Sequence, residues 1–359
     1  MERRILFAEV PGFYAAIERA EDPGLAERPV IVGGDPRKRG RVQAATPDAF
    51  AAGVEVDMPV IEALRLCPQA RAVRTNLGHY REVSRALMAA LRGVLPRFEP
   101  FGLGGAYADL SGTEDAAQQG EALCEVVRAR LSLPLRVGIA SRKFLARLAA
   151  QEVALSGVRR VALDEEEAFL APLPVARLDG VGRKTAARLA ELGAHSIGDV
   201  AALGRDRLQE VFGVHGLRIH AYATGSDDEP LRPERHARSL SREATVRAEP
   251  LDLSVLVEHL SGLAAQLESE LTRQGLVAGR ITLKLRFLDQ GITTRTLTLG
   301  QPVASAQALL DVAQELLART QAGSREVRGI GLQLGSLLPA AEQDRQLSLF
   351  DHPEPPPAD

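Results

Sequence analysis

Two short stretches stand out by the types and spacing of their residues. RRILFAEV, residues 3–10, is typical of a short apolar strand, and FGLGGAYADL, residues 101–110, carries Gly104 and Gly105 between two runs that alternate like strands. Glycine weakens a strand and usually marks a bend or the close approach of another group. We therefore expect both glycines inside regular structure, at a place from which side chains are missing.

A glycine turn further along the chain predicts an anion-binding site. Residues 178–192, LDGVGRKTAARLAEL, place Gly180 and Gly182 in a tight turn before a helix. Backbone N–H groups at a helix N-terminus attract anions. The pattern predicts a helix-hairpin-helix phosphate clamp made by Gly180, Val181, Gly182 and Lys184. The alternative is a plain helix-turn-helix connection with a glycine cap.

A basic strand follows in RITLKLRFL, residues 280–288. Alternation puts its polar residues on one face and its apolar residues on the other. The polar residues on that face are Arg280, Thr282, Lys284 and Arg286. Three further arginines, Arg295, Arg325 and Arg328, lie on neighbouring predicted strands, so a basic sheet face is expected. An ordinary solvated face is the alternative.

The last residues, from Pro339 to Asp359, are too polar and proline-rich to pack a core and are predicted to be disordered. Within them, QLSLF places three apolar side chains on an exposed tail and predicts a peptide ligand for an apolar groove. The residues of this motif are Gln346, Leu347, Leu349 and Phe350. A final strand or helix that packs on its own domain is the alternative.

Length and composition limit the class of protein. The 359 residues suggest two to four domains, and the net charge of -3 means that any nucleic-acid binding must come from local patches. Cys67 and Cys124 offer no disulfide framework and no metal-ligand spacing. Since no apolar run approaches membrane length and no signal segment is evident, we expect a cytoplasmic location without membrane contact.

The order of predicted elements gives the fold class, α+β in several domains. Strand, helix, two strands, helix and strand form the split βαβ pattern of a ferredoxin-like sheet. A small insertion interrupts it, and a helical region and a second α/β region follow. The predicted segments are 1–22 with 70–165, the insertion 23–69, the helical region 166–226, a linker 227–237, the second α/β region 238–338 and the tail 339–359.

Several motifs are similar to those of the Y-family DNA polymerases, the translesion group of the polymerase IV type. ILFAEVPGFYAAIE resembles the family's opening I-L-H-x-D-x-D-x-F-F-A-S-V-E, and the other matches are EALRLCPQ, YREVSRALM, VGIASRKFLARLAA, FLAPLPVARLDGVGRKTAARLAELG and SLSREAT. The resemblance covers nearly the whole chain. It implies a right-hand architecture: a ferredoxin-like palm, fingers as the insertion, a helix-hairpin-helix thumb and a little finger. QLSLF resembles the motif by which bacterial polymerases bind the sliding clamp.

The resemblance also explains the glycine pair. Where the family reads S-I-D-E-A-Y-L-D this chain reads GLGGAYAD, so Gly104 and Gly105 stand at the Asp-Glu pair. Glu9 and Pro11 stand at the two acidic positions of the opening motif. Phosphoryl transfer in this family needs two Mg²⁺ ions, which one carboxylate will not hold. The resemblance therefore implies no catalytic site, no metal and no cofactor, with Mg²⁺ relevant only if the protein is an active polymerase.

The resemblance implies that the triphosphate contacts are also reduced. Pro47 and Phe50 replace the family's Tyr and Arg, Lys143 is retained in SRKF, and Tyr14 stands at the ribose-sensing steric gate. Asp109 is interpreted as a hairpin residue, because the matching family Asp is not a metal ligand. For DNA backbone contacts the resemblance implies the thumb clamp with Arg238, Arg242, Lys284 and Arg286.

The function expected from these residues is that of a noncatalytic homologue resembling ImuB-type mutagenesis proteins. It would bind primer-template or damaged DNA and the beta sliding clamp, and would support DNA repair and induced mutagenesis by another error-prone DNA polymerase with a RecA-like accessory protein. One alternative is an active but divergent translesion polymerase that holds a metal with Glu9, a backbone carbonyl and Asp109. Another is a binding module that regulates access to the clamp or the primer end.

Overall fold

The computed structural model describes residues 3–340 apart from 39, 96, 114, 233–238, 249–251 and 290. The chain divides into two compact units, residues 1–234 and 235–359. The strands are β1 Ile5–Glu9, β2 Val30–Gly33, β3 Val42–Ala45, β4 Arg71–Arg74, β5 Phe98–Phe101, β6 Gly105–Asp109, β7 Arg136–Ala140, β8 Gly157–Arg160, β9 Ser239–Ala248, β10 Leu276–Phe287, β11 Ile292–Val303 and β12 Val327–Pro339. The helices are α1 Phe13–Glu21, α2 Pro47–Ala51, α3 Val60–Leu66, α4 Leu77–Arg92, α5 Ala116–Leu131, α6 Lys143–Gln151, α7 Glu166–Leu170, α8 Arg183–Glu191, α9 Ile197–Leu203, α10 Arg205–Phe212, α11 Val214–Ala223, α12 Leu253–Gln274 and α13 Ala306–Ala318.

The main sheet of the first unit has the strand order β5-β6-β1-β7-β8. β1 lies in the middle because its residues are apolar on both faces, and Ile5 through Ala8 are fully buried. β1 runs antiparallel to β6 and β7, and β8 pairs parallel to β7 at the edge. The first four strands have the order of a split βαβ sheet, and β8 extends it.

Helix α6 packs unusually close to this sheet. Gly138 of β7 makes the approach possible, since a Cβ atom there would lie 1.9 Å from the carbonyl oxygen of Ala146. Any side chain at position 138 would push the helix away from the strand. This contact fixes the start of α6, and with it Lys143, against the sheet.

The insertion in the first unit is built on a three-stranded sheet of order β3-β2-β4. β4 pairs parallel to β2, from Val30 opposite Arg71 to Gly33 opposite Arg74. β4 lies past residue 69, where the sequence places the end of the insertion, so that boundary needs correcting. The reason is that β4 is short and only partly buried, and its parallel pairing leaves no local signal in the sequence.

Helices α7 to α11 form the last part of the first unit, packed around buried Leu189, Ile197, Leu208 and Ile219. The second unit is a four-stranded antiparallel sheet of order β11-β10-β12-β9. Helices α12 and α13 cover one face of this sheet. The burial of β10 alternates along Ile281, Leu283 and Leu285, as the sequence pattern predicts.

Candidate functional site

Three neighbouring strands bring the candidate catalytic positions together at one end of the main sheet. The register places Glu9 of β1 opposite Gly105 of β6 on one side and opposite Arg136 of β7 on the other. Asp109 pairs with Ile5 at the far end of the same two strands. Four strand residues correspond to roughly 13 Å, so Asp109 cannot share a ligand with Glu9. Its carboxylate instead accepts a hydrogen bond from the N–H of Ser111 at 2.9 Å.

Arg136 forms a salt bridge with the carboxylate of Glu9. Its Nε and Nη2 atoms donate to Glu9 Oε1 at 2.9 and 2.5 Å. Both side chains are 20% exposed, so the pair is largely shielded from water. Charge-assisted bonds of this kind are about twice as strong as neutral ones. The guanidinium therefore supplies the positive charge that compensates Glu9.

The position of Gly104 is filled by an aromatic ring. A Cβ atom at Gly104 would lie 2.8 Å from Cβ and Cγ of Phe13. At Gly105 a Cβ atom would lie 3.0 Å from the Ala8 oxygen and 3.2 Å from Glu9 Cβ. The missing side chain at Gly104 thus lets Phe13 pack against this end of the sheet, and the missing side chain at Gly105 leaves room for the neighbouring strand β1.

The expectation that both glycines lie within a strand is only half right. Gly105 is the first residue of β6, whereas Gly104 ends the turn of residues 102–104 between β5 and β6. The carbonyl of Gly104 accepts a hydrogen bond from the N–H of Val10 at 2.8 Å. The alternation on both sides of the pair reflects two different strands of one hairpin, which a one-dimensional pattern does not separate.

The turn after β1 carries Pro11 and Gly12. Pro11 is buried and offers no oxygen ligand from its side chain. Gly12 has φ +60°, and a Cβ atom there would lie 2.5 Å from the carbonyl oxygen of Ala45. Gly12 is therefore required where α1 approaches β3, and this close contact places Phe13 and Tyr14 at the site.

Tyr14 stacks on Tyr80, with ring centroids 4.5 Å apart and an interplanar angle of 14°. The hydroxyl of Tyr80 donates to Glu18 at 2.6 Å. Burial raises the pKa of Tyr80, and its hydrogen bond to Glu18 raises it further. The stack holds the Tyr14 ring at the wall of the site.

A cavity of about 340 Å³ lies between these residues. Its walls are mainly apolar or glycine, and Glu9 is the one carboxylate that lines it among the described residues. The lining residues are Glu9, Val10, Gly12, Phe13, Tyr14, Gln43, Ala44, Phe50, Val56, Phe101, Gly102, Leu103, Gly104 and Gly105. Phe50 of α2 reaches it, and Pro47 begins that helix. Within the described part of the chain no group of three or more His, Cys, Asp or Glu residues could hold a metal ion.

Lys143, expected among the nucleotide-site residues, is not one of the residues that line this cavity, and its role at a nucleotide site stays a prediction. It is 5% exposed, and its Nζ donates to the fully buried Glu99 at 2.8 Å. It also lies 4.8 Å from the ring centroid of Tyr107. Lys143 is buried because α6 packs tightly on the sheet, which directs this first residue of the helix into the protein.

Glu99 also anchors the segment that the sequence assigns to a linker. Its Oε2 accepts a hydrogen bond from the N–H of Arg232 at 2.9 Å. Arg3 donates to the carbonyl of Glu229 at 2.7 Å, and the Glu229 carboxylate lies 3.6 Å from Lys143 Nζ. Burial raises the pKa of Asp227 nearby. Residues 227–232 are therefore bound to the first unit over their whole length.

The predicted phosphate clamp forms a turn before α8. Gly180 has φ +82°, and a Cβ atom there would lie 2.9 Å from Cε1 of His215. Gly182 is the N-cap of α8, with open space around its Cα. Val181 is buried and Lys184 is exposed. The N–H of Val181 donates to the Leu178 carbonyl at 3.1 Å, so the turn presents the exposed Gly182 N-cap and the Lys184 cation to solvent, as an anion site requires.

The outer face of the second unit's sheet carries Arg280, Lys284 and Arg286. Two arginines that the sequence analysis groups with these basic residues, Arg242 and Arg295, lie on the opposite face of the sheet. Arg242 pairs in register with the buried Leu332 and lies 3.6 Å from Glu270 of α12, so it is on the helix-covered face. Arg295 is opposite Leu283 and donates to the Arg319 carbonyl, so it also faces the helices. Side chains alternate along each strand, and the sequence does not give the register between strands.

The two remaining arginines lie at the end of the sheet that holds the β10–β11 hairpin and the start of β12. Arg325 pairs with Asp289 at the β10–β11 hairpin, and Arg328 is exposed on β12. Arg238 lies outside the described residues, as do Gln346, Leu347, Leu349 and Phe350. In the part of the chain that the structure describes, no helix is long and apolar enough to cross a membrane.

Sequence reasoning missed four residues of these sites: Phe13, Glu99, Arg136 and Glu243. An Arg in LRVGIA, where the strand is otherwise apolar, is a signal for Arg136, but its partner depends on the sheet order. In the sequence Phe13 is simply one of two adjacent aromatic residues. Its packing at the site depends on the missing side chain at Gly104, which is distant in the chain. Glu99 and Glu243 carry no pattern of their own.

Three parts of the chain match models of known protein families. Residues 9–151 match the impB/mucB/samB family, residues 237–349 match the C-terminal domain of that family, and residues 176–227 match the thumb domain of DNA polymerase-iota. The chain is 34% identical to DNA polymerase IV of Alkalilimnicola ehrlichii over 354 residues, covering 97% of this chain and 99% of that protein. It is 36% identical to DNA polymerase IV of Caulobacter vibrioides over 336 residues, covering 92% and 81%.

Solved structures share the fold. A Y-family DNA polymerase chimera of Dbh and Dpo4 matches with a TM-score of 0.79 at 23% identity, covering 93% of this chain and 99% of that one. DinB from Sulfolobus solfataricus matches with a TM-score of 0.69 at 22% identity, covering 92% and 98%. The α+β palm-and-thumb architecture expected from the sequence is confirmed.

Proposed function

Because the chain belongs to the Y-family DNA polymerases, we propose that it binds DNA and supports translesion synthesis by another polymerase, without transferring nucleotides itself. One observation carries the proposal. The carboxylate of Glu9 is bound by Arg136, with glycine at the two positions beside it. The site therefore has one compensated carboxylate where two Mg²⁺ ions would need several oxygen ligands.

The residues present do not fit a pair of divalent cations. A cation at Glu9 would meet the positive charge of the Arg136 guanidinium and would have to displace two hydrogen bonds. The Phe13 ring stands against the position where a side chain of residue 104 would begin. The rest of the cavity lining is mainly apolar or glycine, with Gln43 and Tyr14 as its polar side chains, and apolar groups cannot replace the water shell of a hard cation.

Loss of the metal site removes the main source of rate enhancement. Stabilisation of developing charge is usually the largest contribution to phosphoryl transfer, and neither Pro47 nor Phe50 supplies a charge at the cavity. Lys143, buried against Glu99, supplies none either. We therefore derive no nucleotidyl-transfer step for this chain.

DNA binding is supported by features that do not depend on that site. The turn of Gly180, Val181 and Gly182 offers the N-terminus of α8 with its exposed N-cap Gly182, and Lys184 adds a cation. Lys284 and Arg286 stand on the outer face of the second sheet with Arg280. Phosphate contacts of this kind are independent of sequence and weaken with salt. One solved structure of this fold is titled a post-insertion binary complex of Dbh DNA polymerase.

The clamp and the partner polymerase belong to the proposal as well. Gln346, Leu347, Leu349 and Phe350 resemble a clamp-binding peptide, and burying apolar side chains, less the cost of ordering them, suggests a dissociation constant on the order of micromolar. A clamp on DNA raises the effective concentration of such weak contacts. A second error-prone polymerase and a RecA-like accessory protein would then act at the same lesion, as in ImuB-type mutagenesis.

An active, divergent polymerase is the second candidate. The comparisons favour it, since relatives that match over nearly the whole chain are named DNA polymerase IV. It would need metal ligands from Glu9 and from backbone carbonyls, because Asp109 lies at the other end of its strand. Primer extension separates the two candidates. A module that regulates access to the clamp or primer end would instead bind clamp with no effect on damage-induced mutation in a deletion strain.

The proposal is tested by DNA binding and clamp capture with the full chain. We expect primer-template DNA to bind with an affinity that falls steeply with salt, and clamp to be recovered by the wild type but not by a Leu349→Ala/Phe350→Ala variant. Absence of DNA binding at low salt would refute the DNA part. Equal recovery of clamp by wild type and variant would refute the clamp part.

A further inference from the structure

The outer face of the sheet in the second unit has a shallow trough along β12. Its outward residues opposite Arg286, Lys284 and Arg280 are Gly329, Gly331 and Gly335. Cβ atoms built at Gly329 and Gly335 would lie 3.7 and 3.8 Å from Cβ of Arg286 and Arg280, which shows that these glycines face the same side as the basic residues. The exposed Gln333, opposite Thr282, is the fourth outward residue, so bare backbone forms the floor of the trough at the three glycines and a side chain stands between Gly331 and Gly335.

One side of this trough is basic and the other is polar. β10 contributes Arg280, Lys284 and Arg286, while β9 contributes Ser239, Ser241, Glu243 and Thr245 through their pairing with β12. Among the described residues that alternate onto this face of β9, β10 and β12, Glu243 is the one carboxylate. A row of cations beside exposed backbone suits the phosphates of a nucleic-acid strand.

Glu243 reaches across the trough to the basic row. Glu243 of β9, Gly331 of β12 and Lys284 of β10 are aligned in register, so two strand spacings separate the acid from the base. The Glu243 carboxylate nevertheless lies 3.0 Å from Lys284 Nζ and 2.7 Å from an Arg286 Nη atom. A Cβ atom at Gly331 would lie 2.7 Å from Glu243 Cγ, so the missing side chain of Gly331 makes this crossing possible.

We propose that Glu243 is a built-in competitor for DNA phosphate, which occupies Lys284 and Arg286 in the free protein and is displaced when a DNA backbone enters the trough. This inference rests on the proposed DNA binding and adds its regulation. The three side chains are between 34% and 51% exposed, so a phosphate can reach the same cations. Exposed ion pairs are weak, and the phosphates of DNA carry a dense charge, so the exchange is readily reversible.

A competitor role and a positioning role of Glu243 predict opposite changes in DNA affinity when its charge is removed. If Glu243 competes with phosphate, removing its charge frees both cations and strengthens DNA binding. If it instead holds Lys284 and Arg286 in a productive arrangement, removing it weakens binding. Gly331→Ala offers a second perturbation, because it leaves every charge in place but crowds the path of the Glu243 side chain.

The experiment measures duplex DNA binding by the full chain over a range of salt for wild type, Glu243→Gln, Gly331→Ala and Glu258→Gln. Glu258 is exposed on α12, which covers the opposite face, and loses the same charge. Relative to Glu258→Gln, we expect Glu243→Gln to bind DNA about 2- to 30-fold more tightly at low salt, with a salt slope steeper by about one. Thermal melting checks that each variant is folded.

The possible failures are distinct. If wild type binds DNA and Glu243→Gln binds no more tightly than Glu258→Gln, the competitor role is refuted and the proposed function stands. If neither wild type nor any variant binds DNA at low salt, the proposed DNA binding is refuted and the competitor role with it.

Discussion

Replacing Lys143 by Met should strongly destabilise the first unit. The substitution leaves the carboxylate of Glu99 fully buried, with the Arg232 N–H at 2.9 Å but without the cation at 2.8 Å. Removing one partner of a buried ion pair costs about 3–5 kcal/mol, because the charge that remains inside the protein loses the attraction of its partner. With a urea m-value of about 3 kcal/mol/M for a unit of this size, the midpoint should fall by about 1–1.7 M.

Tyrosine fluorescence gives an assay that reports this unit alone. The chain has no Trp, and its four Tyr residues, Tyr14, Tyr80, Tyr107 and Tyr222, all lie in the first unit. Glu99→Gln should also be destabilising, since it leaves Lys143 buried beside a neutral amide. The double variant Lys143→Met/Glu99→Gln should recover at least half of the loss, because both charges of the pair are removed together and the amide oxygen still accepts from Arg232.

Lys38→Met is the matched control, since Lys38 is exposed, and its midpoint should not move measurably. The reasoning is refuted if Lys143→Met shifts the midpoint no more than Lys38→Met does. A loss of nucleotide binding with unchanged stability would instead return Lys143 to the nucleotide site.

Two further predictions follow from the packing and the electrostatics. Gly104→Asp should destabilise the first unit by about 1–3 kcal/mol in the same urea assay, because its Cβ atom would lie 2.8 Å from Phe13. The same substitution should be less destabilising in a Phe13→Ala background, and an equal loss of stability in both backgrounds would contradict the reasoning. Burial raises the pKa of Asp227, so its charge opposes folding at full strength above the folded-state pKa, and this penalty declines as the pH falls from that value to the ordinary value of 3.8. Asp227→Asn should therefore be more stable than wild type at pH 7, with a difference that shrinks as the pH falls toward 3.8; a less stable variant at pH 7 would contradict the assignment.

The sequence predicts the fold well where its elements are long and periodic. The alternation in RITLKLRFL and the order of strands and helices in the palm both correspond to the structure, because local spacing determines which face is buried. The short parallel strand β4 and the added edge strand β8 were not predicted, since parallel pairing depends on strands far apart in the chain.

The candidate site was predicted in part. Glu9, Gly104, Gly105 and Tyr14 do meet at one cavity, because the resemblance aligns them with neighbouring strand ends. The partner of Glu9 and the burial of Lys143 depend on sheet order and helix packing, which no single stretch encodes. Arg242, which the resemblance places among the DNA backbone contacts, lies on the helix-covered face, and alternation along β9 does not give its register with β12.

Primer extension by the purified full chain tests most directly whether the nucleotidyl-transfer site is inactive. The reaction contains sliding clamp, Mg²⁺ or Mn²⁺ and all four nucleotides, with wild type, Glu9→Ala and Gly104→Asp/Gly105→Glu side by side and DNA polymerase IV of Alkalilimnicola ehrlichii as the positive control. We predict that wild type binds the primer-template but leaves it unextended. Extension by wild type that is lost in Glu9→Ala would contradict the proposal and identify an active polymerase with a different metal site.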